Sequence, residues 1–435
     1  MLEFHVEPSI VRQATVRVPG DKSISHRALM LGSLADGATE ISGFLAGEDC
    51  LATLAAFRNM GVRIEQHDDT TLTVNGVGLH GLQAPAETLN LGNSGTAMRL
   101  MAGVLCGQSF DSTLTGDRSL NKRPMRRIIT PLEQMGAKIA SSDGKPPLVI
   151  HGGQELSAID YSLPVASAQV KSCILLAALY AKGRTVVVEP SVTRDHTERM
   201  LAAMGVDVES AAGRISINGR QTLTGTRTQV PADLSSAAFV MLAAILAKDA
   251  DVLITHVGVN PTRTGVIDIL KALGANISLE NRQSLGHEPV ADIHVRSSTL
   301  RGGPIDPALV SLAIDEFPVL FVAAAAAHGK TTFTGIGELR VKESDRIAAM
   351  ASGLRALGIS IEESDDGAII HGGSFSGGIV ESFADHRIAM SFAVAGSVAM
   401  GPVTVRDVDN VETSFPGFAA IMSSLGIRIR AEQDA

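Results

Sequence analysis

A chain of 435 residues is too long for one ordinary hydrophobic core and predicts two domains. Its 45% apolar and 19% charged residues are the balance of a folded globular protein, and with 3% aromatics and no Trp the core must rest on Leu, Ile, Val, Ala and Met. A formal net charge of −9 with no basic block argues against a nucleic-acid binder, so any anionic ligand must be met by a local cluster of Lys and Arg.

The opening stretch, MLEFHVEPSIVRQ, has neither a basic segment nor an apolar run, and no secretory leader is expected. From there a two-part unit recurs along the chain. Its first part is a polar or charged cluster leading into a smooth, Ala- and Leu-rich helix. In chain order these are DKSISHRALMLGSLA, NSGTAMRLMAGVLC, ASAQVKSCILLAAL, DLSSAAFVMLAAILA, DEFPVLFVAAAAAHG and DHRIAMSFAVAGSVA. Helices apolar on nearly every side are predicted to be buried. The longest apolar run, about residues 317–327, is roughly half of a membrane span, so a cytoplasmic protein with no membrane partner is expected.

The second part is a helix ending in Met-Gly or Leu-Gly and followed by a β-branched strand, as in FRNMGVRIEQ, LEQMGAKIAS, LAAMGVDVES, LKALGANISLE, LRALGISIEE and MSSLGIRIRA. The glycines are Gly61, Gly136, Gly205, Gly274, Gly358 and Gly426, with gaps of 75, 69, 69, 84 and 68 residues. Such regularity predicts six copies of one unit, each about a βαβαββ module and each glycine a left-handed helix cap. Three copies per domain make an α/β protein of two similar lobes.

Six helix starts carrying Ser, Thr, Lys and Arg are ready anion sites, because unpaired N–H groups and the helix dipole favour negative charge there. In DKSISHR, Ser23 and Arg27 are spaced i, i+4 behind Lys22. In RVKESDR, Lys342 and Arg346 have the same spacing on a predicted helix face, with Glu343 among the cations. GDRSLNKRPMRR places Arg123 at a loop-to-helix join with Pro124 as the first helical residue, and Arg126 and Arg127 on the solvated face. Gly95 in LGNSGTAMR permits close backbone approach to a ligand. Two Asp-His pairs, Asp195-His196 and Asp385-His386, read as His tethered by Asp beside an Arg. Taken singly, each motif is equally a helix cap with solvated charges; it is their combination that points to anion chemistry.

Much is missing. The cysteines Cys50, Cys106 and Cys173 form no CxxC pair and read as small buried apolar residues. HExxH, HxH, GxSxG, the Walker ending and the dinucleotide fingerprint are absent. No metal and no cofactor are expected, and the chemistry is positioning, proton transfer and cationic stabilisation of phosphorylated substrates.

Together GDKSISHR, LGNSGTAMR, GDRSLNKRPM, VASAQVKS, DEFP, RVKESDR, DHRIAM and SFPGF resemble the 5-enolpyruvylshikimate-3-phosphate synthases, in family order from about residue 7 to 425. The resemblance implies an inside-out α/β barrel of the enolpyruvyl transferase type. One lobe is 1–20 plus 233–435 and the other 21–232, with crossings near Pro19-Gly20 and Pro231-Ala232 and the active site in the interlobe cleft. It implies transfer of the enolpyruvyl group of phosphoenolpyruvate to the 5-hydroxyl of shikimate 3-phosphate, through a tetrahedral ketal phosphate. It also implies a monomer whose partners are those two small molecules.

By the same resemblance Lys22, Ser23, Arg27, Ser167, Ala168, Gln169, Arg194, Asp315 and Lys342 hold shikimate 3-phosphate. Lys22, Gly95, Arg123, Gln169, Arg346, His386 and Arg387 hold phosphoenolpyruvate. Asp315 or Lys22 takes the hydroxyl proton, and Glu343 exchanges the proton at the enolpyruvyl methylene. Thr413 departs from members that carry Lys there. Gly95, where glyphosate-tolerant members usually have Ala, implies inhibition by glyphosate. The related UDP-N-acetylglucosamine enolpyruvyl transferases usually carry Cys in the loop GDRSLNKRP, which has none here. From other classes, a repeat scaffold gives no reason for Lys, Arg and carboxylates at helix mouths, and a nucleic-acid end-processing relative conflicts with the acidic charge.

Overall fold

A computed structural model describes residues Leu2 to Gln433. The chain divides into two compact units. One comprises Met1–Pro19, Pro231–Ser284 and Pro289–Ala435; the other comprises Gly20–Val230 with the turn Leu285–Glu288. Each unit has its own hydrophobic core.

Among the described residues the named strands form six small sheets, three per unit. The predicted module is plainest in the middle of the second unit. There strand Leu89–Asn90, helix Gly95–Leu105, strand Ser112–Thr115, helix Arg126–Gln134 and the hairpin Lys138–Ser142 and Lys145–His151 follow one another as β-α-β-α-β-β. Leu89 pairs in parallel with Leu114, and the rest of the sheet is antiparallel. The copy at the start of this unit borrows its parallel edge strand, Arg227–Gln229, from the end, where Arg227 faces Glu40.

Among the described residues, and leaving aside the single turn Val310–Ala313, each module contributes two helices. In chain order they are α1 (Lys22–Leu34), α2 (Glu48–Asn59), α3 (Gly95–Leu105), α4 (Arg126–Gln134), α5 (Ala168–Ala178), α6 (His196–Ala203), α7 (Leu234–Leu246), α8 (Gly265–Ala272), α9 (Phe317–Ala326), α10 (Arg346–Ala356), α11 (His386–Ser397) and α12 (Phe418–Ser424). The odd-numbered helices are the six predicted from the smooth apolar runs. They are buried almost throughout: in α7 every residue from Leu234 to Ile245, and in α11 all twelve. A helix surrounded by apolar neighbours tolerates few charged residues, and here those lie in the first turn or two.

The even-numbered helices stop at the predicted glycines. Gly61, Gly136, Gly205, Gly274, Gly358 and Gly426 have φ of 85°, 105°, 89°, 101°, 81° and 98°. An L-residue with a Cβ is strained there, so glycine ends the helix and turns the chain into the next strand. Cys50, Cys106 and Cys173 are fully buried, as expected, and burial pushes the Cys106 thiol up to about 12.

Two local expectations are overturned. Pro124 is not the first residue of α4, which begins at Arg126 behind Met125. Lys342 and Glu343 do not lie on a helix with Arg346, because Asp345 accepts a hydrogen bond from Ala348 N and starts α10 at Arg346. A carboxylate cap outweighs the helical spacing of the charges before it.

Candidate active site

In the second unit the starts of α1, α3 and α5 carry one set of candidate residues. Asp21 caps α1 by accepting from Ile24 N at 2.8 Å, which leaves Lys22 at the helix mouth. Lys22 Nζ lies 2.9 Å from Asp49 Oδ2 on α2. Arg27, one turn into α1, is buried, and its Nε donates to Thr197 Oγ1 at 2.6 Å while NH2 donates to Ser172 Oγ at 2.8 Å. Ser23 meets Arg27 through its backbone carbonyl, at 2.9 Å. Burial, together with the nearby Arg194 guanidinium, lowers the Arg27 pKa to about 10 against the pull of Glu198 and Asp21. The chain thus concentrates positive charge at one helix mouth by spending hydroxyl and backbone oxygens on the guanidinium.

Between them sits His26, fully buried. Its Nδ1 faces Thr53 Oγ1 at 2.8 Å and its Nε2 faces Ser94 Oγ at 3.3 Å. Burial first, then the charges of Lys22 and Arg27, hold its pKa down to about 3, so the ring is a neutral tie between α1, α2 and the cap of α3.

Ser94 caps α3, and Gly95 opens it. A Cβ at Gly95 would stand 2.8 Å from Arg99 NH1 and 3.0 Å from Arg123 NH1, so two guanidinium groups fill the space that glycine vacates. Arg123 is anchored by Asn93 Oδ1 at 2.6 Å, and Asn93 in turn donates to Asp117 at 2.7 Å. Gln169 on α5 accepts from Arg99 NH1 at 2.7 Å and donates to Thr96 Oγ1 at 3.0 Å. Ser167 caps α5 from Val170 N, Ala168 is its first residue, and Arg194 lies in the loop before α6.

In the first unit the second set gathers on Asp315, just before α9. Its carboxylate lies 3.7 Å from Lys342 Nζ, 3.5 Å from Arg346 NH1 and 4.0 Å from Arg387 NH2. Arg346 is the hub: NH2 bonds Glu343 Oε2 at 2.6 Å, and Nε bonds Asp385 Oδ2 at 2.9 Å. Burial pushes the Arg346 pKa down, but Asp385, Glu343 and Asp315 more than reverse it and hold it above the ordinary value. Glu316, which the sequence did not single out, faces Arg387 NH1 at 3.9 Å and Arg263 NH2 at 3.8 Å. It also accepts the Ser235 hydroxyl.

The Asp-His reading needs correction. Neighbouring helical residues point about 100° apart, and an Asp at a cap turns to its own helix. Asp385 accepts from Arg387 N at 3.0 Å and from Ser344 Oγ at 3.0 Å, while His386 faces Ser414 Oγ at 3.2 Å. Asp195 holds Arg199 at 2.9 Å, and the buried His196 faces Glu288 at 2.7 Å. Thr413 is buried with its hydroxyl on Asn410 O at 2.7 Å, so that position contributes no charge.

Cations at helix mouths, paired with carboxylates, are the marks of a protein built to meet anionic ligands. In fold, the chain is similar to the enolpyruvyl transferase NikO from Streptomyces tendae, which matches all of this chain and 99% of its own with a TM-score of 0.80 at 17% identity. The chain belongs to the EPSP synthase (3-phosphoshikimate 1-carboxyvinyltransferase) family, whose model matches residues 7–422. A 3-phosphoshikimate 1-carboxyvinyltransferase of Alkalilimnicola ehrlichii is 57% identical over 98% of this chain and 96% of its own length. One of Nitrosococcus oceani is 56% identical over 99% and 97%. The EPSP synthase of Acinetobacter baumannii superposes over 100% of both chains with a TM-score of 0.89 at 52% identity.

Proposed function

We propose that the two residue sets described above serve one reaction, the enolpyruvyl transfer of this family. The enzyme takes the 1-carboxyvinyl group from phosphoenolpyruvate and gives it to the 5-hydroxyl of shikimate 3-phosphate, releasing phosphate in the pathway to aromatic amino acids. Family membership does not favour UDP-N-acetylglucosamine as acceptor.

The observation that carries the residue roles is Asp315 facing Lys342, Arg346 and Arg387 while Glu343 shares Arg346. Opposed proton roles for these two carboxylates require surroundings that separate their pKa values, and bound substrate would supply that difference. The 5-hydroxyl oxygen bonds to C2 of phosphoenolpyruvate, its proton going to Asp315 or Lys22, while C3 takes a proton from Glu343. Loss of phosphate from C2 and return of a C3 proton to Glu343 then leave the enol ether. Lys22, Ser23, Arg27, Ser167, Ala168, Gln169, Arg194, Asp315 and Lys342 hold shikimate 3-phosphate. Lys22, Gly95, Arg123, Gln169, Arg346, His386 and Arg387 hold phosphoenolpyruvate. Fixed cations stabilise the charge that builds on the ketal phosphate, each such contact being worth about 3–4 kcal/mol. The reaction is placed in the cytoplasm, with a single chain as the working unit; light scattering tests the second point.

Phosphate release from phosphoenolpyruvate, with and without shikimate 3-phosphate, is the test. Turnover should require both compounds, and Glu343→Gln should lower kcat about 10²- to 10⁴-fold. Unchanged turnover in Glu343→Gln would remove that residue from its role.

A further inference from the structure

Lys171 is a buried cation that the reaction scheme leaves unused. It sits one turn into α5 with its side chain 1% exposed, beside Ser172, which holds Arg27. Its Nζ donates to Glu189 Oε2 at 3.1 Å, lies 2.7 Å from Glu198 Oε1, and donates to the backbone carbonyl of Thr193 at 3.4 Å. Three acceptors thus face an ammonium with three protons. They come from the end of strand Arg184–Val188, from the following loop, and from α6.

The loop itself is exposed at Pro190, Ser191 and Val192, dips inward at Thr193, and emerges at Arg194. Thr193 is its anchor: its hydroxyl donates to Glu189, and its carbonyl is the one that Lys171 holds. The residue after that carbonyl is Arg194.

A buried ion cluster is seldom the most stable way to fill such a space, since apolar side chains of equal volume do as well or better. What the cluster supplies is direction. An apolar residue could pack against the loop but could not hold one chosen carbonyl.

We propose that Lys171 is a positioning residue for substrate binding: it clasps the Thr193 carbonyl and so fixes the direction in which Arg194 leaves the loop. The inference rests on the reading that Arg194 takes the phosphate of shikimate 3-phosphate. Lys171 touches neither substrate and acts through the backbone of its neighbour.

Steady-state kinetics with each substrate varied separately test this, on Lys171→Met, Lys171→Met/Glu198→Gln, Arg194→Ala and Lys171→Met/Arg194→Ala. In Lys171→Met the KM for shikimate 3-phosphate should rise about 10- to 100-fold, with the KM for phosphoenolpyruvate within about twofold of the parent. If Lys171→Met leaves its carboxylates uncompensated and does not fold, the Lys171→Met/Glu198→Gln chain, which removes one of them, carries the test. It should regain thermal stability without regaining the KM. A folded Lys171→Met/Glu198→Gln enzyme with the parental KM for shikimate 3-phosphate overturns the proposal. So does a KM defect in Lys171→Met that adds in full to that of Arg194→Ala, because groups acting through one contact are not additive. An Arg194→Ala enzyme with the parental KM instead removes the reading of Arg194, and the proposal with it.

Discussion

Arg346 and Asp385 form an ion pair with side chains 1% and 0% exposed, Nε to Oδ2 at 2.9 Å. The same carboxylate accepts the Arg387 N–H at the start of α11. One side chain thus fixes two of the cations on which the proposed reaction depends.

Asp385→Asn keeps a good helix cap and removes only the charge. Breaking a buried pair from one side costs about 3–5 kcal/mol, so both the melting temperature and the affinity for phosphoenolpyruvate should fall. Thermal unfolding and steady-state kinetics measure the two, and an unchanged pair of values would refute this account.

Glu316 is buried against Arg387 and Arg263. Glu316→Gln keeps the shape and removes the charge that Arg387 faces. The KM for phosphoenolpyruvate is expected to rise about tenfold, equivalent to about 1.4 kcal/mol. A parental KM would make Glu316 part of the scaffold alone.

At Gly95 a new methyl group would meet the tips of Arg99 and Arg123, at 2.8 and 3.0 Å. Those tips can move, so Gly95→Ala should fold with the parental melting temperature. Displacing Arg123 weakens a charge-assisted contact by about 1–2 kcal/mol, and the KM for phosphoenolpyruvate should rise about tenfold. Glyphosate should compete with phosphoenolpyruvate in the parent and less well in the variant. Titrating one against the other checks both statements.

His26 has a pKa near 6.5 in the unfolded chain and about 3 in the folded one. Between those values the unfolded state carries the extra proton. Its contribution is therefore complete above pH 6.5 and declines as pH falls toward 3, by up to about 1.4 kcal/mol per pH unit. Chemical denaturation of the parent and of His26→Gln across pH 6 to 4 should show slopes differing by about one proton. Parallel curves would mean that His26 is protonated in the fold.

The repeats were legible because their signals are local. A left-handed glycine after an apolar helix, or a run such as LSSAAFVMLAAIL, needs no knowledge of what lies elsewhere in the chain. Partners were not legible, since Arg27 reaches Thr197 across 170 positions and Arg346 reaches Asp385 across 39. Caps misled in a consistent way. Asp345 moved a helix start past Lys342 and Glu343, and Asp385 turned from His386 to its own helix, because backbone N–H groups claim the nearest carboxylate. Glu316 and Lys171 stood inside quoted motifs, DEFP and VASAQVKS, but burial alone distinguishes them from solvated charges.

A rod enclosed by hydrocarbon on every side can neither roll nor slide without opening voids. The polar residues at the mouths of α1, α3, α9 and α11 are accordingly held by the interior as well as by one another. Trimming a methyl group deep within such a rod should loosen the aim of a guanidinium several turns away, and turnover would then report core packing more sensitively than melting does.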